Sequence, residues 1–311
     1  MYQGRRIFVV IPAYNVAPHV ATVIKGIPEF VDGIVVVEDA STDDTADVLR
    51  GIQETRVILR VHERNQGVGG AMVTGFRTAL EAGADIVVKM DGDGQMDPAC
   101  LARLLDPIVG GGYTYAKGNR FLSEDALRHM PRTRFLGAFV LTFFSKLVSG
   151  YWHVFDPVNG FLAIEAGMLR RLPLHRLARR YFFETDMLVQ LNVFNARVKD
   201  VDIPARYGDE RSSMRLRHVV ATFPVYLFRR FWYRLYQKHV LREFSAVAVF
   251  WVVGLALLAW GTAFGSYTWL HSTFVGPAAT TGTVMLSALP LILGFQLVLQ
   301  AMLIEIQESP R

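Results

Sequence analysis

The chain has 311 residues, of which 51% are hydrophobic, and a net charge of +5. That length accommodates two average domains, and the single cysteine, Cys100, excludes an intrachain disulfide or a cysteine metal cluster. The basic balance is local: residues 211–242 carry +8 and the rest of the chain −3, which favours an anionic membrane surface over nucleic acid as partner.

Residues 1–6 lead directly into a short strand-like run and not a long apolar segment, so no secretory signal is expected. Residues 7–11, 33–38, 57–61 and 86–90 are β-branched runs, each followed by helical patterning. That alternation predicts an α/β domain with a largely parallel sheet, whose ligands bind at the C-terminal ends of the strands. Those ends carry Pro12-Ala13-Tyr14-Asn15, Glu38-Asp39-Ala40-Ser41, Glu63-Arg64-Asn65 and Asp91-Gly92-Asp93, which therefore share one edge.

Gln66-Gly67-Val68-Gly69-Gly70 has the look of a phosphate loop at a helix start. A dinucleotide fingerprint would need glycine at Met72, and no Gly-Lys-Ser/Thr follows for a P-loop. Close packing of the next helix through Gly70 and Gly75 competes with ligand contact as the reason for these glycines.

Asp91-Gly92-Asp93-Gly94-Gln95 follows the strand-like run ending at Met90. In an extended backbone Asp91, Asp93 and Gln95 would point to one side and gather oxygen donors. Such a set suits Mg²⁺ or Mn²⁺ completed by phosphate oxygens and water, and the glycines would let a diphosphate approach the backbone. An EF-hand is excluded, because Met96 stands at the sixth position and Ala102 at the twelfth.

No Asp, Glu, Lys or Arg occurs in residues 244–304. Residues 266–282, rich in Gly, Ser, Thr and Pro, predict a loop between two membrane spans at about 244–264 and 283–304, each near the ~20 residues that a bilayer core requires. The preceding basic stretch places Arg230, Arg234 and Lys238 at helical spacing, with Phe223, Leu227, Phe231, Trp232 and Leu235 as apolar surface for a membrane interface. The positive-inside rule then predicts a multi-pass membrane protein with its globular part and both termini cytosolic.

Taken in order, Ile11-Pro12-Ala13-Tyr14-Asn15, Glu38-Asp39-Ala40-Ser41-Thr42-Asp43-Asp44-Thr45, Asn65-Gln66-Gly67 and Asp91-Gly92-Asp93-Gly94-Gln95 resemble the family 2 glycosyltransferases. Gly118-Asn119-Arg120-Phe121, Asp156-Pro157-Val158-Asn159-Gly160-Phe161 and Tyr181-Phe182-Phe183-Glu184 narrow the resemblance to polyprenyl-phosphate glycosyltransferases. The resemblance implies a GT-A type nucleotide-sugar-binding domain at 1–210, a basic amphipathic interfacial segment at 211–243 and a two-helix transmembrane anchor at 244–311. It also implies that Pro12, Tyr14, Asp39 and Asp91 hold the nucleotide, while Asp91, Asp93 and Gln95 hold the metal and diphosphate. Arg120, with Arg206, Arg211 and Arg215, would meet the acceptor phosphate, and Tyr207-Gly208-Asp209-Glu210 would begin a mobile acceptor loop. Asp156 would lie near the donor sugar, and either Glu184 or Asp186 would face the site.

The implied reaction is inverting transfer from a nucleotide diphosphate sugar, UDP being the expected carrier, to a polyprenyl phosphate at the cytosolic leaflet. Asp93, Asp156, Arg120 and Glu184 are the candidate catalytic residues. A processive polysaccharide synthase is the rival enzyme, but Arg230-Phe231-Trp232 lacks the Gln-x-x-Arg-Trp order of that family. A noncatalytic nucleotide-sugar-binding scaffold is the rival from another class, and a homo-oligomer is left open.

Overall fold

The structure is a computed structural model describing residues 1–120, 132–204 and 216–310, within which Met1–Phe231 and Trp232–Ser309 form two compact units. In the first, β1 (Ile7–Ala13), β2 (Gly33–Glu38), β3 (Val57–Val61), β4 (Ile86–Lys89), β5 (Tyr115–Asn119), β6 (Leu162–Glu165) and β7 (Val198–Asp202) form one sheet. Its order is β3-β2-β1-β4-β6-β5-β7. Only β6 is reversed: it pairs antiparallel with β4 and β5, and every other pairing is parallel. The largely parallel sheet expected from the sequence is thus present.

Every residue of β2 and of β4 is buried, as a parallel strand covered on both faces requires. Helices α1 (Val20–Gly26) and α4 (Leu101–Val109) pack on the face that carries Val9, Ile11 and Val88. Helix α2 (Thr45–Arg50) follows β2. Helix α3 (Val68–Glu81) covers the opposite face, with Val10, Val37 and Val87. Helix α5 (Arg132–Ser149) precedes β6, α6 (Ala166–Arg171) follows it, and α7 (Phe183–Val193) joins α3 on its face. All of α7 is buried, which explains its lack of a polar stripe.

Because β6 alone is reversed, the loop entering β6 lies on the same edge as the C-terminal ends of the other strands. The register is informative there. Lys89 pairs with Leu162, and Leu162 pairs with Lys117, so the two lysines lie in one row across three strands and on one face of the sheet.

Helix α8 (Leu216–Arg234) continues into a π-helical turn, Leu235–Val240. Among its described residues Phe223, Leu227 and Phe231 are buried, whereas Val225, Tyr226 and Phe228 are exposed. This corrects the expected amphipathic face at those three positions: Phe182 packs edge-on against Phe223 at 5.4 Å, so Phe223, Leu227 and Phe231 lie inward, whereas Trp232 is half-buried. Arg230 is bound to Asp186, and Arg234 and Lys238 are buried, so none of the three is a stem extended to headgroups.

In the second unit α9 (Ala246–Phe274) and α10 (Thr281–Gln307) have 29 and 27 residues and are long and apolar enough to cross a bilayer. A Cβ on Gly294 would lie 2.7 Å from the Gly254 carbonyl oxygen, so small residues let the two backbones meet. Residues 266–274 are helical, where a loop was expected. Their hydroxyls do not break the helix because they bond back to it: Thr268 donates to the Phe264 carbonyl (2.9 Å) and Thr273 to that of Trp269 (2.8 Å). The connection is shorter than predicted and is centred on Gly276 and Pro277.

Candidate active site

The β1 and β2 ends are bound to one another. Asn15 accepts the Thr42 N–H (2.8 Å), Val16 donates its N–H to Thr45 Oγ1 (2.9 Å), and Ala17 donates to Asp43 Oδ2 (3.3 Å). Asn15 and Ala40 adopt φ of +54° and +56°, a left-handed backbone that these bonds hold in place. Pro12 is half-buried at the strand end and Tyr14 is exposed, open to a ligand. Asp39 is buried at 2% exposure. It accepts the N–H groups of Gln66 and Gly67 at 2.8 Å each and meets His62 Nδ1 at 2.6 Å. Its carboxylate fastens the 65–67 turn to β2, and His62, which sequence reasoning passed over, completes this support through Thr74 (2.9 Å).

The glycines at the start of α3 serve packing. Gly69 and Gly70 donate their N–H groups to the Arg179 carbonyl at 2.9 and 3.3 Å, and a Cβ on Gly69 would lie 2.0 Å from the Ala178 oxygen. A Cβ on Gly75 would lie 2.1 Å from Val10 Cγ1. The helix start is thus seated on residues 178–180, which already take the N–H groups that a phosphate would need.

After β4 the backbone turns at Gly92 and Asp93, and Gly94 has φ of +79°, so residues 91–95 are not the extended segment used to align their side chains. The carboxylates instead stand on a turn at the strand end, where Asp93 Oδ1 accepts the Gln95 N–H at 3.0 Å. Asp91 Oδ1 accepts from Lys89 Nζ at 2.6 Å. That lysine is 1% exposed and lies 3.4 Å from Glu184 Oε1, so it bridges two carboxylates. Burial depresses its pKa, but Asp91 and Glu184 outweigh burial and raise it above the ordinary lysine value. Gly160 closes over the bridge: a Cβ there would lie 2.4 Å from Lys89 Nζ and 2.7 Å from Asp91 Oδ2.

Along the same row Lys117 is wholly buried and donates to the Asn159 carbonyl, which ties β5 to the 156–160 loop. Burial lowers its pKa to about 8, against the opposing pull of Glu184 and Asp156. Asp156 has no exposed surface and accepts from Arg120 Nε at 2.8 Å and Nη2 at 3.3 Å. The expected acceptor-side arginine and donor-side aspartate are therefore one forked ion pair. Arg120 is the partly exposed member, with 38% of its side chain accessible. Arg206, Arg211 and Arg215, with the expected acceptor loop, lie outside the described residues.

Glu184 and Asp186 lie two positions apart on α7 and so point to different sides. Glu184 joins Lys89, whereas Asp186 accepts from Ala178 N–H and Arg230 Nη2 at 2.7 Å each. Glu184 is the carboxylate on the lysine side. Burial raises the Asp186 pKa to about 6 despite its arginine partner.

Among the described residues no group of three His, Cys, Asp or Glu could enclose a metal ion. Asp91 and Asp93, with the Gln95 amide, instead offer the small set of hard oxygens with which Mg²⁺ or Mn²⁺ is held when phosphate and water complete its shell. The residues present fit such a cation.

The family described as Glycosyl transferase family 2 matches residues 8–172. The UDP-N-acetylglucosamine--dolichyl-phosphate N-acetylglucosaminyltransferase of Methanococcus voltae is 31% identical over 235 residues, 71% of this chain and 93% of that protein. The undecaprenyl-phosphate mannosyltransferase of Micrococcus luteus is 28% identical over 205 residues, covering 64% and 82% of the two chains. Among solved structures, glucosyl-3-phosphoglycerate synthase from Mycobacterium tuberculosis, in complex with Mn²⁺, UDP-glucose and phosphoglyceric acid, superposes with a TM-score of 0.55 at 23% identity. That likeness covers 74% of this chain and 80% of the other, and it identifies the fold of the first unit as the expected GT-A type.

Proposed function

The chain belongs to glycosyl transferase family 2, and from that premise we propose that it transfers a sugar from a UDP-linked donor to a polyprenyl phosphate, with inversion at the anomeric carbon. One observation carries the choice of acceptor: the buried acids on the site edge are engaged by cations, Glu184 with Lys89 at 3.4 Å and Asp156 with Arg120 at 2.8 Å. A sugar hydroxyl must lose a proton as it attacks, so it calls for a general base. A phosphate monoester, with a second pKa of about 6, already carries an anionic oxygen at neutral pH. Relatives named for transfer to dolichyl and undecaprenyl phosphate support the same acceptor class.

In a single displacement, a phosphate oxygen of the lipid bonds to the anomeric carbon as the bond to the nucleoside diphosphate oxygen breaks. The leaving group departs with that electron pair. Arg120 supplies cationic hydrogen bonds to the incoming phosphate and holds Asp156, which lies near the donor sugar. Pro12 and Tyr14 receive the nucleotide, with Asp39 holding the turn behind them. Asp91 and Asp93, with Gln95, would hold Mg²⁺ or Mn²⁺, which when bound stabilises the departing diphosphate as a Lewis acid. Helices α9 and α10 anchor the enzyme in the membrane and the globular unit faces the cytosol.

Two substitutions test the roles. Asp93→Asn should lower divalent-dependent transfer by about a hundredfold or more with the fold retained; near-normal transfer at saturating Mn²⁺ would remove Asp93 from the metal site. Arg120→Lys keeps a cation against Asp156 but loses the fork, and should raise KM for polyprenyl phosphate about tenfold with donor affinity little changed. Equal weakening toward both substrates would show that Arg120 does not serve the acceptor.

A further inference from the structure

Lys89 is absent from the roles assigned so far, yet its environment is unusual. An ammonium with 1% exposure sits in the last position of a buried strand and donates at 2.6 Å to Asp91, with Glu184 at 3.4 Å on its other side. Gly160 covers both Lys89 Nζ and Asp91 Oδ2, so the lysine cannot swing away into solvent.

We propose that Lys89 is a positioning residue that couples divalent-cation binding to the nucleotide donor, by occupying Asp91 in the resting enzyme. The inference rests on assigning Asp91 and Asp93 to the metal. A cation entering without nucleotide must share Asp91 with a fixed positive charge, leaving the Asp93 carboxylate as the main attraction. Lys117, in the same row, adds a second buried amine nearby. A nucleoside diphosphate brings several negative charges and oxygen ligands that offset Lys89, so cation and donor favour each other's entry. Free metal is thereby disfavoured, and the competent complex assembles only when the donor is present. Glu184 balances the lysine and lets it remain charged in a buried position.

Mn²⁺ binding to the full-length protein, followed by electron paramagnetic resonance with and without UDP, tests this apart from turnover. Wild-type protein should bind Mn²⁺ at least about tenfold more tightly with UDP than without it. Lys89→Met alone leaves Glu184 buried without its ammonium, so the informative variant is Lys89→Met with Glu184→Gln. In it, Mn²⁺ affinity without UDP should rise about tenfold and the enhancement by UDP should shrink by the same factor. Lys89→Arg, which keeps the charge, should preserve the enhancement. A residue with a merely structural role would lower affinity in both conditions, and that result would overturn the proposal. Equal wild-type affinity with and without UDP would overturn it before any variant is made. If Asp93→Asn leaves Mn²⁺ binding unchanged in the presence of UDP, the metal assignment itself fails, an outcome distinct from loss of coupling.

Discussion

Asp186 shows how one buried residue turns into a measurable pH dependence. Its folded pKa of about 6 lies above the ordinary 3.8, so the folded protein keeps a proton that the unfolded chain releases. Its contribution to stability is complete below about pH 4 and is lost as pH rises through about 6, at most about 3 kcal/mol in all. Asp186→Asn removes that titration. The melting temperature of the variant relative to wild type should therefore climb between pH 4 and 6.5 and level off above, whatever the offset at the acid end. A flat difference across this window would mean that Asp186 stays ionised throughout. At this scale the sequence was partly legible. Asp91, Asp93, Arg120 and Asp156 stood out as polar residues in a characteristic order, but their partners did not. Lys89 was hidden inside an apolar run, and the pairing of Arg120 with Asp156 spans 36 positions. A signal did exist for Lys89, because a charged residue within a fully buried parallel strand needs a partner.

Among elements, the seat of α3 carries the most direct prediction. Gly69→Ala places a methyl 2.0 Å from a backbone oxygen that cannot rotate away, and should cost about 1–3 kcal/mol, read as a lower melting temperature. Donor affinity of the surviving folded protein should change little; an unchanged melting temperature with weakened UDP binding would restore the phosphate-loop role. Strands β1 to β4 were legible because β-branched runs bounded by turn residues have no competing helical period. Strands β5 and β7 were not named from sequence, since Lys117, Gly118 and Asn119 in one and Lys199 and Asp200 in the other break the apolar signal. Helix α9 was cut short for the opposite reason. Ser and Thr between residues 266 and 274 read as breakers, whereas in an apolar setting the Thr268 and Thr273 hydroxyls bond to carbonyls of the preceding turn.

For the whole molecule, the division of charge and hydropathy along the chain gives a topology that can be tested without reference to catalysis. Cysteines replacing Ala278, in the connection after α9, and Glu308, after α10, both fall at exposed positions, and Cys100→Ser removes the native thiol. On intact cells a membrane-impermeant thiol reagent should label position 278 and spare 308. Labelling at 308 alone would put the globular unit on the outer side. Both the acceptor and the stereochemistry of transfer are read from the product. Full-length protein in detergent, Mn²⁺, undecaprenyl phosphate and a panel of UDP-sugars should yield a lipid whose mass corresponds to one sugar on one phosphate. Its anomeric configuration, read by NMR, should be opposite to that of the donor. A lipid diphosphate sugar, retention of configuration, or release of free sugar with the lipid unchanged across the panel would contradict the proposed transfer.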